Sequence, residues 1–155
     1  PGKKGCCFRV KKKVMFQVDL GELITDLKRH EGFRSRVYDD TRGIPTIGIG
    51  FAIKDLELDE EICNMILEKK IVKLLPRVNS RFPFLKDQPN TAKIVVINMC
   101  YQMGVTGVSK FKNFLKALEN SDYITAAAEM LDSRWSRQTP NRAEELSEKI
   151  KSLAS

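Results

Sequence analysis

Histidine occurs once in the chain, at His30, and no run of histidine, cysteine and carboxylate residues has the spacing of a metal site. Cys6 and Cys7 are adjacent near the start, whereas Cys63 and Cys100 each fall inside a segment of helical periodicity. This pattern excludes a zinc module and reads as free thiols in a reducing compartment. A catalytic Cys–His pair would have to join His30 to a distant cysteine, and His30 beside Glu31 reads instead as a helix-end side chain. No apolar run approaches the roughly 20 residues of a bilayer span. The start of the chain lacks the apolar core of a secretory signal, and there are no internal repeats or low-complexity stretches. No metal or cofactor is implied.

Basic charge is plentiful but local. Six of the net +7 charges belong to Lys3, Lys4, Arg9, Lys11, Lys12 and Lys13, with no acid among residues 1–13. Phe8 is the one aromatic residue there, so no base-stacking platform accompanies the charge and no specific nucleic-acid partner is expected. Residues 1–14 read as a basic flexible tail or linker, a processing remnant or a site of general polyanion contact, and residues 15–155 as a folded domain. A chain opening at Pro1 suggests that upstream residues were removed or belong to a larger polypeptide. With 42% hydrophobic and 30% charged residues over 155 positions, one soluble domain can bury roughly two-thirds of its unfolded surface without disulfides.

The segment from Glu31 to Gly50 carries the chemistry. Asp19-Leu20-Gly21-Glu22 reads as a capping-box variant, and Leu20, Leu23, Ile24 and Leu27 follow at helical spacing, so Glu31 ends a helix of about three turns. Gly32 is the expected left-handed stop. A carboxyl at a helix C-terminus faces the negative end of the macrodipole, which favours keeping a proton, the bias a general acid needs. Residues 33–38 alternate weakly, Asp40-Thr41-Arg42-Gly43 supplies turn chemistry, and Thr46-Ile47-Gly48-Ile49-Gly50-Phe51 reads as the returning strand of a hairpin. Asp40 at the rim and Thr46 on the return are then near enough to share one water. Gly48 and Gly50 leave one face open to a backbone or a flat ligand. Taken singly, each residue also has an ordinary structural reading: Glu31 as a solvated helix end, Asp40 as a turn former, the glycines as packing positions.

Beyond the hairpin the periodicity is helical. Asp59–Asn79 carries apolar residues at helical intervals up to Pro76, which is expected to bend or end the pattern. Asn90 is placed to cap the next helix, and Ala92–Met103 is apolar on nearly every face, as in a buried helix. Amphipathic segments follow near Ser109–Glu119 and Ser121–Leu131, and Pro140 opens a last helix. The fold class is α+β, mainly α: a small β-hairpin lobe joined by a long helix to a helical lobe.

The block Glu31–Gly50, with Asn98-Met99-Cys100-Tyr101-Gln102-Met103-Gly104-Val105-Thr106-Gly107 and Ser133-Arg134-Trp135-Ser136-Arg137-Gln138-Thr139-Pro140-Asn141-Arg142-Ala143, resembles the phage-type lysozymes of glycoside hydrolase family 24. The resemblance runs from about Asp19 nearly to the C-terminus. It implies an inverting muramidase that cleaves the β-1,4 bond between N-acetylmuramic acid and N-acetylglucosamine of bacterial peptidoglycan, with Glu31 as acid and Asp40 and Thr46 orienting a water. By the same resemblance Arg142 matches an arginine that pairs with the catalytic glutamate, and Gln102 and Trp135 match positions beside the cleft, Gln102 to touch sugar and Trp135 to pack. A monomer made in a host cytoplasm and acting at the cell wall or periplasm fits this reading, as does a virion-associated tail component.

Departures accompany the matches. Phe51 stands where the family commonly has a histidine, Arg42 where it has an acid, and the segment from Ala52 to Leu58 is short, so a small helix and part of the N-terminal lobe are expected to be missing. These differences keep open a wall-binding module on the lysozyme scaffold without turnover. The charge balance keeps open a membrane-active cationic protein.

Overall fold

The structure, a computed structural model, describes residues 18–155. The basic tail, with Cys6 and Cys7, lies outside the described residues. The chain divides into two compact units at Leu58/Asp59.

In the first unit, helix α1 (Leu20–Glu31) begins where Asp19 Oδ1 accepts the Glu22 amide at 3.1 Å. It ends at Gly32, whose amide donates to Lys28 O at 2.9 Å. Gly32 has φ +71° with an extended ψ of −177°, so the stop uses the glycine-favouring half of backbone space but not the compact left-handed helical geometry. Strands β1 (Arg34–Asp39), β2 (Pro45–Gly48) and β3 (Phe51–Ala52) form one antiparallel sheet in the order β1-β2-β3. Tyr38 pairs with Thr46 and Asp39 with Pro45, and β1 bulges between Arg34 and Tyr38. The Arg34 guanidinium stacks over the Tyr38 ring at 4.5 Å.

The single returning strand expected over 46–51 is instead two strands. Gly48 and Gly50 take φ of +69° and +70°, which reverses the chain and pairs Ile47 with Phe51 and Thr46 with Ala52. The Phe51 ring fills the space above Gly48, where a Cβ would come within 2.8 Å of it. Between β3 and the second unit there is one 3₁₀ turn, Ile53–Asp55.

The second unit is helical. Helix α2 (Glu60–Arg81) is capped by Asp59, whose Oδ1 accepts the Ile62 amide at 2.8 Å. It runs through Pro76 to Arg81, because an interior proline removes one amide donor and a helix this long retains the rest. Helix α3 (Asn90–Ser109) follows Pro89, and Asn90 is its first helical residue rather than the expected cap. Its backbone breaks at Gly104, with φ +80° and ψ 159°. Then come α4 (Lys112–Glu119), α5 (Tyr123–Leu131), α6 (Arg134–Gln138) and α7 (Pro140–Lys151). The short α6 has no counterpart in the periodicity; the Ser133 hydroxyl accepts the Ser136 amide at 3.0 Å and starts it.

Helices α3, α4, α5 and α7 close the core around Val95, Met99, Phe114, Leu118, Met130 and Ile150, all nearly or fully buried. The buried Ser147 hydroxyl donates to Ala127 O at 3.0 Å, so α5 and α7 meet without an unsatisfied polar group. The class is the mainly α one expected, with one small sheet. No described helix is long and apolar enough to cross a membrane.

Truncating Phe114, buried at 1% exposure, should cost about 3–5 kcal/mol. Removing the Asp59 cap by Asp59→Ala should cost about 1 kcal/mol. Urea denaturation followed by circular dichroism ranks the two, and a smaller loss for Phe114→Ala than for Asp59→Ala would contradict the packing described.

Candidate active site

Glu31 is the last residue of α1, and its side chain reaches the β2–β3 turn. A Cβ on Gly50 would lie 2.6 Å from Glu31 Oε2 and 2.9 Å from Cδ, so the Glu31 side chain would have to move aside. Glycine at 50 is favoured by its positive φ, and its missing Cβ lets the carboxyl rest where it does. Glycine's missing side chain admits Glu31 from the same unit, where a backbone or flat ligand was expected. Beside this contact Ile24, Leu27, Ile49 and Phe51 line a depression of about 330 Å³ with Lys28 and Glu31 at its border. An acid on an apolar wall is an arrangement suited to protonating a leaving group.

Asp40 and Thr46 are both hydrogen-bonded to the backbone of Ile44. Asp40 Oδ1 accepts the amides of Arg42 at 2.7 Å and Ile44 at 2.9 Å, and the Asp40 amide donates back to Ile44 O at 3.0 Å. The buried Thr46 hydroxyl donates to the same Ile44 carbonyl at 2.9 Å. Its proton is therefore committed, and its oxygen lone pairs remain to accept a hydrogen bond. The second Asp40 oxygen lies 3.7 Å from Arg42 Nη2. The Ile44 amide chiefly holds the Asp40 carboxyl below its ordinary value; desolvation opposes it, and the Arg42 amide and then its guanidinium add smaller lowering effects. The anionic form is the one suited to orienting water.

Glu31, Asp40 and Thr46 thus all belong to the first unit. Gln102 and Arg142 belong to the second. Exposed Gln102 accepts from Trp135 Nε1 through Oε1 at 2.9 Å, and the buried Trp135 ring meets Phe111 edge-on at 6.1 Å. Arg142 donates to Asn98 Oδ1 through Nε at 2.9 Å and Nη2 at 2.7 Å, and Nη2 reaches Asn98 O at 3.5 Å. Asn98 was not singled out by sequence reasoning. Its signal was there: Asn98 and Gln102 are polar residues four apart within the largely apolar stretch 94–105, hence on one face. His30 Nδ1 lies 2.9 Å from Asp26 O, a contact within its own helix. Cys63 and Cys100 are free, and burial pushes the Cys100 thiol up to about 11. No group of three metal-ligating side chains occurs among the described residues.

Gly50→Ala should destabilise the first unit by about 1–2 kcal/mol through its left-handed φ and displace the Glu31 carboxyl. Carbon-13 NMR of the glutamate carboxyls reads the displacement; an unmoved Glu31 signal would refute the contact. The same experiment on aspartates should show Asp40 titrating below the ordinary value of about 3.9. Because the folded state depresses this group, its contribution to stability is fully present above that value and is lost as pH falls through the folded one. Arg42→Ala should raise it only partly, since the amides remain.

Residues 28–151 match the family model described as Phage lysozyme. Two proteins of Dictyostelium discoideum, Probable T4-type lysozyme 1 and Probable T4-type lysozyme 2, are each 34% identical to this chain, over 146 and 148 residues. Either alignment covers 76% of this chain and 86% of the relative. The Pre-baseplate central spike protein Gp5 of Enterobacteria phage T4 is 31% identical over 145 residues, which is 76% of this chain but 25% of that protein. With a family match across most of its length, and with relatives aligned over most of theirs, the chain belongs to the phage lysozyme family and is a glycoside hydrolase of the lysozyme type.

Proposed function

We propose that this lysozyme hydrolyses the β-1,4 bond between N-acetylmuramic acid and N-acetylglucosamine in bacterial peptidoglycan, with inversion. The carrying observation is that Ile44 anchors both groups, its amide holding Asp40 and its carbonyl Thr46, which leaves an Asp40 carboxylate and a proton-committed Thr46 hydroxyl as two acceptors on one short loop. A water held by both donates one hydrogen to each and keeps its lone pairs for attack on the anomeric carbon. Glu31, protonated, gives its proton to the departing glycosidic oxygen as that bond breaks. The water oxygen bonds to the anomeric carbon from the opposite face, and its released proton passes to Asp40. A proton exchanged through solvent then restores Glu31 and Asp40. Inversion needs the two carboxyl groups roughly 6.5–9.5 Å apart, leaving room for the water.

Asp40 is held as a carboxylate by amides, so it is a weak base before the reaction and takes the proton only as the new C–O bond forms. Gln102 and Arg142 serve substrate in this reading. Gln102 keeps its amide nitrogen free to donate to a sugar while its oxygen holds Trp135, and the Asn98 pair holds the Arg142 guanidinium plane. Two settings suit the activity: a free enzyme acting on the wall after synthesis in a host, and a lysozyme domain carried on a virion. Relatives of similar length support the first, and the similarity to a quarter of a phage spike protein supports the second.

Glu31→Gln removes the transferable proton while keeping the shape against Gly50. Release of reducing ends and muropeptides from purified peptidoglycan should fall about 100-fold or more in the folded variant. A folded Glu31→Gln protein that still releases them would overturn the assignment.

A further inference from the structure

The second unit carries a basic groove of about 520 Å³ lined by none of the residues assigned to the proposed reaction. Lys70, Lys73 and Arg77 of α2 form one wall, and Cys100, Tyr101 and Gly104 of α3 the other. On a helix rising about 1.5 Å per residue, the three cations follow one another along one face at steps of about 4.5 and 6 Å. They are exposed, and none of the ion pairs among the described residues involves them. No carboxylate lines the groove. The Cys100 thiol in its wall stays neutral at physiological pH, because burial raises it despite nearby Arg77, so it offsets none of the positive charge. At Gly104 the helix breaks, and a Cβ would meet nothing within 4 Å, which leaves that wall open.

From this arrangement we infer that the groove between α2 and α3 is a binding site for a phosphate group. Three cations exceed what one carboxylate needs, whereas a tetrahedral phosphate offers several charged oxygens at once. The Arg77 fork can take two of them, with Lys70 and Lys73 as point charges on the rest. The Tyr101 hydroxyl is a further donor. Its ring is the one aromatic in the groove, too little for successive base stacking, which sets the site apart from a single-strand nucleic-acid channel. The chemistry is common to free phosphate and to a phospholipid headgroup.

The test uses the full chain at low ionic strength, titrated with inorganic phosphate and, separately, with vesicles of phosphatidylglycerol against phosphatidylcholine. Saturable binding should weaken about tenfold or more in Lys73→Gln/Arg77→Gln and change less than about twofold in Lys116→Gln, a loss of charge on α4 outside the groove. All three positions are exposed, so thermal unfolding should be unchanged and loss of binding reads the site itself. A response to inorganic phosphate identifies the free ion as sufficient; a response confined to anionic vesicles, with the same dependence on the variants, identifies the headgroup. Equal weakening by Lys116→Gln, binding of an oligonucleotide alone, or no saturable binding in either arm would overturn the inference.

Discussion

The carboxyl of Glu31 occupies the space that a side chain on residue 50 would fill, and the first unit is arranged around that contact. The contact demands that α1 stop at Glu31, that the chain turn at once into β1, and that β2 and β3 bring a glycine back to the helix end. Each requirement is met by backbone chemistry: the cap at Asp19, the stop at Gly32 and the turn at Gly48–Gly50. Packing contributes less. Thr46 is the one fully buried residue among those described in the first unit, whereas the second unit buries a contiguous apolar core from Val78 to Ile150. One unit is specified chiefly by turns and hydrogen bonds, the other by burial.

This difference suits the division of chemical roles. A group that orients water must be held with hydrogen-bonding capacity left over, which a close-packed apolar core does not provide. The loop Asp40–Ile44 does so with few residues: the amide of Ile44 fixes Asp40, and its carbonyl fixes Thr46. Both groups are thus anchored on one residue, although through the two peptide units that flank its Cα. Arg42 adds charge at longer range, at 3.7 Å and on an exposed side chain, where solvent screens it. The amides therefore set the protonation state of Asp40, and the arginine at a position where the family has an acid is compatible with that state.

How much of this was legible in the sequence depended on the range of the interactions. The start and end of α1 were readable because Asp19, Glu22 and Gly32 act within a turn of where they stand, and Pro140 opened α7 for the same reason. Helix α6 was not, since five residues are too few for a period to show and its start rests on the Ser133 hydroxyl. The division of 46–51 into two strands was hidden by its alternating glycines, which read equally as an open strand face and as reversals; the Phe51 ring over Gly48 and the Glu31 carboxyl at Gly50 distinguish them. Pro76 signalled a bend or an end, and the helix runs on through it to Arg81 with one amide donor fewer. Asn98 and Arg142 meet across 44 positions, and nothing local to either residue announces the other. The proposed roles of Glu31, Asp40 and Thr46 rest on the motif, whereas the Ile44 hydrogen bonds that anchor two of them are visible only in the folded structure.

The apolar stripe of α1 gives the contrast between the units a further consequence. Leu20, Leu23, Ile24 and Leu27 are 42–49% exposed, so each retains only part of the roughly 1.5–3 kcal/mol that full burial of such a side chain contributes. Helices of this length are marginal in water without a buried face. The stability of α1 accordingly leans on its two ends, and the C-terminal end is Glu31 itself. Fraying there separates the acid from Gly50, while the core around Met99, Phe114 and Met130 has no comparable weak point. Opening of that end of α1 carries the proposed catalytic acid with it.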